Sequence, residues 1–247
     1  MRIVSRGGAA LALCLAASLA APAMAAADEN TRVHYSLAES GPRLAPLKLL
    51  VLAPRIDVHE LSAGGVTQKV PDLTRQANQH FGAILGQVLA GRTDLGTVPM
   101  PRLSDDEQDE LDDLVATFDV VAAEGFANTR PGLAGWEDRA ARFDYTLGYG
   151  LPWLRERTGA DSLLVTFGID YQSTGGRKAM TVLGAMVGIG LPTGFARVRC
   201  GLIDLATGDI LWLHSEGIRS GNLTDEATMR EVVEKTFASL PRPGAQR

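Results

Sequence analysis

The sequence predicts an α/β (α+β) fold: a mixed β-sheet with packed helices and a C-terminal β-hairpin followed by a helix. Three observations predict it. Lys48–Ala53 (KLLVLA) and Leu163–Ile169 (LLVTFGI) are near-continuous apolar runs of strand length, as expected of strands buried on both faces. Around them, apolar residues recur at helical spacing. Late in the chain, Asp204-Leu205-Ala206-Thr207-Gly208-Asp209 separates two apolar segments with the chemistry of a hairpin turn.

The N-terminus is a different kind of segment. Arg2 and Arg6 form a positive n-region, an Ala/Leu-rich run follows to about Ala21, and Pro22-Ala23-Met24-Ala25 supplies an A-x-A cleavage pattern. Residues 1–26 therefore read as a cleavable signal peptide, because the apolar run is shorter than the roughly 20 residues a spanning helix needs. Leu11-Ala12-Leu13-Cys14 is a poor lipobox, since Leu13 is not small, so the expectation is a periplasmic protein without a lipid anchor. Residues 27–46, polar with Pro42 and Pro46, read as a leader arm. Residues 47–240 read as one mixed α/β domain and 241–247 as a disordered tail.

Cleavage after residue 26 removes Arg2, Arg6 and no acid, moving the formal charge from −5 to −7. With no basic stripe to neutralise phosphates, nucleic acid is excluded as a partner. It also removes Cys14 and leaves Cys200 as the single cysteine. Neither an intramolecular disulfide nor a cysteine-based metal site is then available.

After the first apolar strand, stopped by Pro54, residues 56–70 read as a loop or short hairpin containing Gly64-Gly65. A helix follows from Asp72, with Leu73, Ala77, Phe81, Ile84, Leu85, Val88 and Leu89 on one stripe and Gly91 at its end. Leu95–Met100 reads as a short strand. Ser104 caps a second helix whose acidic first turns favour the macrodipole, with Leu111, Leu114, Val115 and Phe118 facing inward. That acidic run lacks the glycine turn and distal glutamate of a calcium loop. Residues 128–158 read as the loop Arg130-Pro131-Gly132 and then helical material. In the next strand Val198, Cys200 and Leu202 alternate with a wetter face of Arg197, Arg199 and Gly201. The last helix begins near Thr224 and buries Met229, Val232, Val233, Phe237 and Leu240.

The search for chemistry returns no catalytic constellation. There is no G-x-S-x-G, H-E-x-x-H, P-loop or Rossmann fingerprint, and His34, His59, His80 and His214 sit singly. No catalytic residue, metal or cofactor is expected. Two stretches stand out. In Ser173-Thr174-Gly175-Gly176-Arg177-Lys178 a glycine pair with hydroxyls and cations has the makings of an anion-cradling backbone nest, against the plainer reading of a polar turn. Ala179–Pro192 is apolar apart from Thr181 and offers Met180, Val182, Leu183, Met186, Val187 and Ile189. Fourteen residues are too short to span a bilayer as a helix, and Gly184 and Gly188 admit close backbone approach. A buried connection, a subunit contact and a membrane-contacting tip all remain open for it.

Gly159-Ala160-Asp161 leading into an apolar strand, and the hairpin signature Asp204, Thr207, Gly208 and Trp212 before a final helix, resemble the domain shared by the curli-secretion lipoprotein CsgG, the penicillin-binding-protein activator LpoB and the TolB N-terminal region. Asp144-Tyr145-Thr146-Leu147-Gly148 with Ser173–Met180 is similar to a set of uncharacterised exported proteobacterial proteins. The resemblance covers about residues 46–240 and lacks the anchoring cysteine of the lipoprotein members. It implies a non-catalytic envelope accessory role, with envelope proteins or a homo-oligomer as partners, and carries over no active-site residue. The alternatives are a small-ligand or anion binder, or an enzyme, using 170–178, and an oligomerising or membrane-contacting protein using 179–192.

Overall fold

The computed structural model describes residues 29–39, 46–129, 142–186, 194–219 and 222–242. The signal peptide, the Arg130-Pro131-Gly132 loop, Val187, Ile189 and the 243–247 tail lie outside the described residues. Among those described, the elements run β1 (Thr31–Val33), α1 (Tyr35–Glu39), β2 (Leu47–Val51), β3 (Arg55–Leu61), β4 (Thr67–Lys69), α2 (Pro71–Ala90), β5 (Leu95–Val98), α3 (Asp105–Asn128), α4 (Pro152–Thr158), β6 (Ser162–Ser173), α5 (Gly175–Met186), β7 (Gly194–Asp204), β8 (Ile210–Ile218) and α6 (Glu226–Ala238). This is the α+β architecture that the alternation of apolar strand and helix patterns predicts.

The long strand β6 organises the sheet, whose order is β1-β8-β7-β6-β2-β5. On one side β7 pairs antiparallel with β6 from Ser162↔Asp204 to Gln172↔Gly194, and β8 and then β1 add antiparallel beyond it. On the other side β6 takes two partners end to end. β2 runs parallel to it at Leu49↔Ser162 to Val51↔Leu164, and β3 at Arg55↔Phe167 to Leu61↔Ser173. The interruption is Leu52-Ala53-Pro54, where proline brings no N–H to a ladder. β5 lies parallel on β2, and β4 folds back antiparallel on β3. Residues 56–70 are thus the hairpin alternative, with a seven-residue strand as its first arm.

Helices cover both faces. α2 and α6 bury Phe81, Ile84, Leu85, Met229, Val233 and Phe237 against Leu49, Ile56, Val58, Val198, Cys200, Leu202 and Trp212. On the opposite face α3 and α4, with the irregular stretch 142–151, bury Leu114, Val115, Phe118, Phe143, Leu151 and Leu154 against Leu50, Leu163, Val165, Ile203, Ile210 and Leu213. α3 starts in a full capping box: Glu107 N–H donates to Ser104 Oγ at 3.4 Å, and Ser104 N–H donates to Glu107 Oε2 at 2.8 Å. Arg157 also donates to that Glu107 carboxylate, and this bond, the largest influence, brings the carboxyl down to about 2.

Part of the expected leader arm is built into the sheet. Thr31–Val33 is an edge strand on β8, and Arg32 is buried, donating from Nε to Thr129 Oγ1 at 2.6 Å and from Nη2 to the Thr129 carbonyl at 3.0 Å. Polar composition suggested a solvated arm. The segment is instead held by satisfying its polar groups.

Candidate functional site

Ser173–Lys178 does not form a nest. Ser173 ends β6, and Thr174 heads α5, its Oγ1 accepting from Arg177 N–H at 3.4 Å and its carbonyl from Lys178 N–H at 3.0 Å. Gly175 and Gly176 occupy the first turn of that helix. Neither takes a positive φ, so the alternation of right- and left-handed residues that builds a nest is missing there. Arg177 reaches back to the Ser62 carbonyl at 3.4 Å, and Lys178 is exposed.

The described part of the apolar stretch that follows, 179–186, is helical and largely exposed. In α5, Met180 is 49% exposed, Val182 58%, Leu183 59% and Met186 78%. The described part of this stretch therefore presents partly exposed apolar side chains.

In the 204–212 segment the side chains of the turn bond to one another and to its backbone. Asp204 Oδ1 accepts from Ala206 N–H at 2.7 Å and Thr207 N–H at 3.1 Å, and Thr207 Oγ1 donates to Asp209 Oδ2 at 2.8 Å. Gly208 takes φ +78°, and a Cβ there would run into the Tyr149 carbonyl. Trp212 is fully buried, its ring centroid 5.7 Å from that of Phe237. Cys200 is fully buried too, and burial pushes its thiol up to about 12, far from a thiolate at neutral pH.

Topology assembles two groups that the linear sequence hides. The first joins Ser239, His214 and Glu216: His214 Nδ1 lies 2.9 Å from Ser239 Oγ and 2.8 Å from Thr31 Oγ1, and Nε2 lies 3.5 Å from Glu216 Oε2. The order suggests a hydrolytic triad, but the chemistry does not follow. Ser239 Oγ donates its proton to the Thr236 carbonyl at 2.7 Å rather than to the imidazole, and the His214 ring is only 2% exposed. The cluster clasps β1, β8 and α6 together.

The second group lies on the sheet face beside α3, where successive strands place side chains in rows. Arg55, Phe167, Arg199 and Ser215 form one row, and Asp57, Ile169, Arg197 and Gly217 the next. His59, Tyr171 and Phe195 form a third. α3 bounds this face through Asp112 on Arg55 and Asp119 Oδ1 on Arg199 Nη1 at 3.1 Å. The Arg55 guanidinium holds the Asp112 carboxyl below its usual range, and burial lowers Arg199 from its ordinary value. A cleft of about 600 Å³ opens over Arg55, Phe167, Ile169, Arg197 and Arg199, and a second of about 600 Å³ lies on the far side of Arg197 and Arg199. The signal was present as period-two alternation in Arg55-Ile56-Asp57-Val58-His59 and Arg197-Val198-Arg199, but the partnering of the two segments was not.

No family model matches the chain, and no curated protein matches it. Among solved structures it is similar to the PelC L103M dodecamer from Paraburkholderia phytofirmans, at 15% identity over 82% of this chain and 94% of that one, with a TM-score of 0.34. It is also similar to lipoprotein GNA1162 from Neisseria meningitidis, at 14% identity over 79% and 100%, TM-score 0.30. The LpoB C-terminal domain from Salmonella enterica is 13% identical over 75% and 90%, TM-score 0.27. Likenesses of this size transfer no function to the chain.

Proposed function

We propose that the chain is an exported, non-catalytic accessory protein of the bacterial envelope that binds other polypeptides, a second copy of itself included, through the apolar side of α5. The carrying observation is the exposure of Met180, Val182, Leu183 and Met186. Ala179, Val182, Leu183 and Met186 follow the i, i+3, i+4, i+7 spacing of a helix face made for contact. The tripartite N-terminus supports export, and among the described residues no helix is long and apolar enough to cross a membrane.

The magnitude also limits the reading. Burying what remains exposed on four such side chains contributes on the order of 3–6 kcal/mol. That alone supports association in the millimolar to high micromolar range, before the costs of docking. A working complex therefore adds contacts from the partner's side or joins several copies. A photo-crosslinking amino acid at 183 or 186 in cells tests it, with position 120 on α3 as an exposed apolar control. Polypeptide adducts at 183 and 186 and none at 120 are expected. Lipid adducts, or no adducts at either position, overturn the reading.

A further inference from the structure

We propose that the arginine-bearing face of β7 binds an anionic group, carboxylate or phosphate, carried on an apolar body that lies in the adjoining cleft over Phe167 and Ile169. It goes beyond the α5 reading and uses none of its residues.

The charge accounting singles out one cation. Asp57 is taken by Lys69 at 2.7 Å, Asp112 by Arg55 and Asp119 by Arg199. Among the described residues no ion pair or hydrogen bond uses the Arg197 guanidinium, which sits 5.2 Å from the centroid of the Phe195 ring. Its neighbour is also incompletely served: Arg199 Nε is buried with no acceptor, while Nη1 is directed to Asp119. A buried donor without an acceptor is costly, and an incoming anion would supply one. Arg199 is already held in place by Asp119, so little side-chain freedom is lost when a ligand arrives. Arg197 and Arg199 line both clefts.

The surroundings set the class of ligand. Phe167, Ile169 and Ile56 give the first cleft an apolar wall beside its charged residues, whose two carboxylates, Asp57 and Asp119, are paired with Lys69 and Arg199, and its volume suits a small amphiphile. Phe167 is itself fixed by stacking on Phe118 of α3, at 6.1 Å between centroids. A polyanion does not fit, because the acidic first turns of α3 stand at the border of this face and, among the described residues lining it, only one cation, Arg197, is in no ion pair or hydrogen bond.

The test is calorimetric titration of the mature protein with octyl phosphate and octanoate, beside octanol and inorganic phosphate as the two halves of the ligand. Saturable binding of an octyl anion, tighter than either half, is expected. Arg197→Gln should weaken it by about tenfold or more, the scale of a lost hydrogen bond to a charged group, with an unchanged melting temperature, since Arg197 is exposed and, among the described residues, in no ion pair or hydrogen bond. Co-sedimentation with phosphatidylglycerol vesicles, lost in Arg197→Gln, would place the anion on a lipid headgroup. Amphiphile binding without vesicle binding would make it a free ligand. Absence of saturable binding to either octyl anion, or binding that Arg197→Gln leaves unchanged, overturns the proposal.

Discussion

Replacing Gly208 by alanine separates two costs that usually arrive together. Gly208 takes φ +78°, its N–H donates to the Asp204 carbonyl at 2.9 Å, and its own carbonyl accepts from Leu147 N–H at 2.9 Å. The turn therefore serves both the β7–β8 hairpin and the 142–151 stretch packed beside it. A side chain in the left-handed region costs roughly 1–2 kcal/mol. A Cβ driven against the Tyr149 carbonyl adds roughly 1–3 kcal/mol, because backbone rather than a flexible side chain must yield. Gly208→Ala should thus lower unfolding stability by about 2–5 kcal/mol. Gly65 takes φ +82° with nothing within 4 Å of a Cβ, so Gly65→Ala should show the backbone cost alone, about 1–2 kcal/mol. Urea unfolding of the two variants at 25 °C measures the difference. Equal losses would refute the close seating of the hairpin turn on residues 142–151.

Three further outcomes follow from the core and the α3 cap. Trp212→Ala should cost about 3–5 kcal/mol in the same assay, since the indole is fully buried; a loss below about 1 kcal/mol would contradict that placement. Cys200 should resist a thiol reagent in native buffer and react at once in denaturant, and fast native labelling would place it at the surface. The Glu107 carboxyl is depressed from 4.5 to about 2, so its contribution is present above about pH 4.5 and disappears as pH falls through about 2. Arg157→Gln should accordingly lower the melting temperature at pH 7 and lose that difference near pH 2; a pH-independent difference would show that the ion pair is not its source.

Reading from the residues reached the main strands, the helices α2, α3 and α6, the Ser104 cap and the role of Gly208, because each is set by local periodicity or a local φ requirement. It missed what depends on pairing over distance. Nothing near Thr31 announces that His214 waits 183 residues away, so polar composition points to a leader arm where the chain forms a strand. The glycines at 175 and 176 carry turn chemistry, yet Thr174 caps a helix over them. The α5 segment was read correctly as apolar, but composition does not say whether a neighbour covers it. Arg197 and Arg199 were seen as a wetter strand face, while the rows they share with Arg55 and Phe167 exist only once β3 and β7 flank β6.

The central claim is that α5 is a contact surface for polypeptide, and sedimentation of the mature protein from micromolar to millimolar concentration tests it most directly. The account predicts a weight-average mass that rises with concentration for the wild type and stays monomeric for Leu183→Asp/Met186→Asp, with unchanged melting temperature because both side chains are exposed. A wild type and a double variant that sediment alike across the whole range would contradict it.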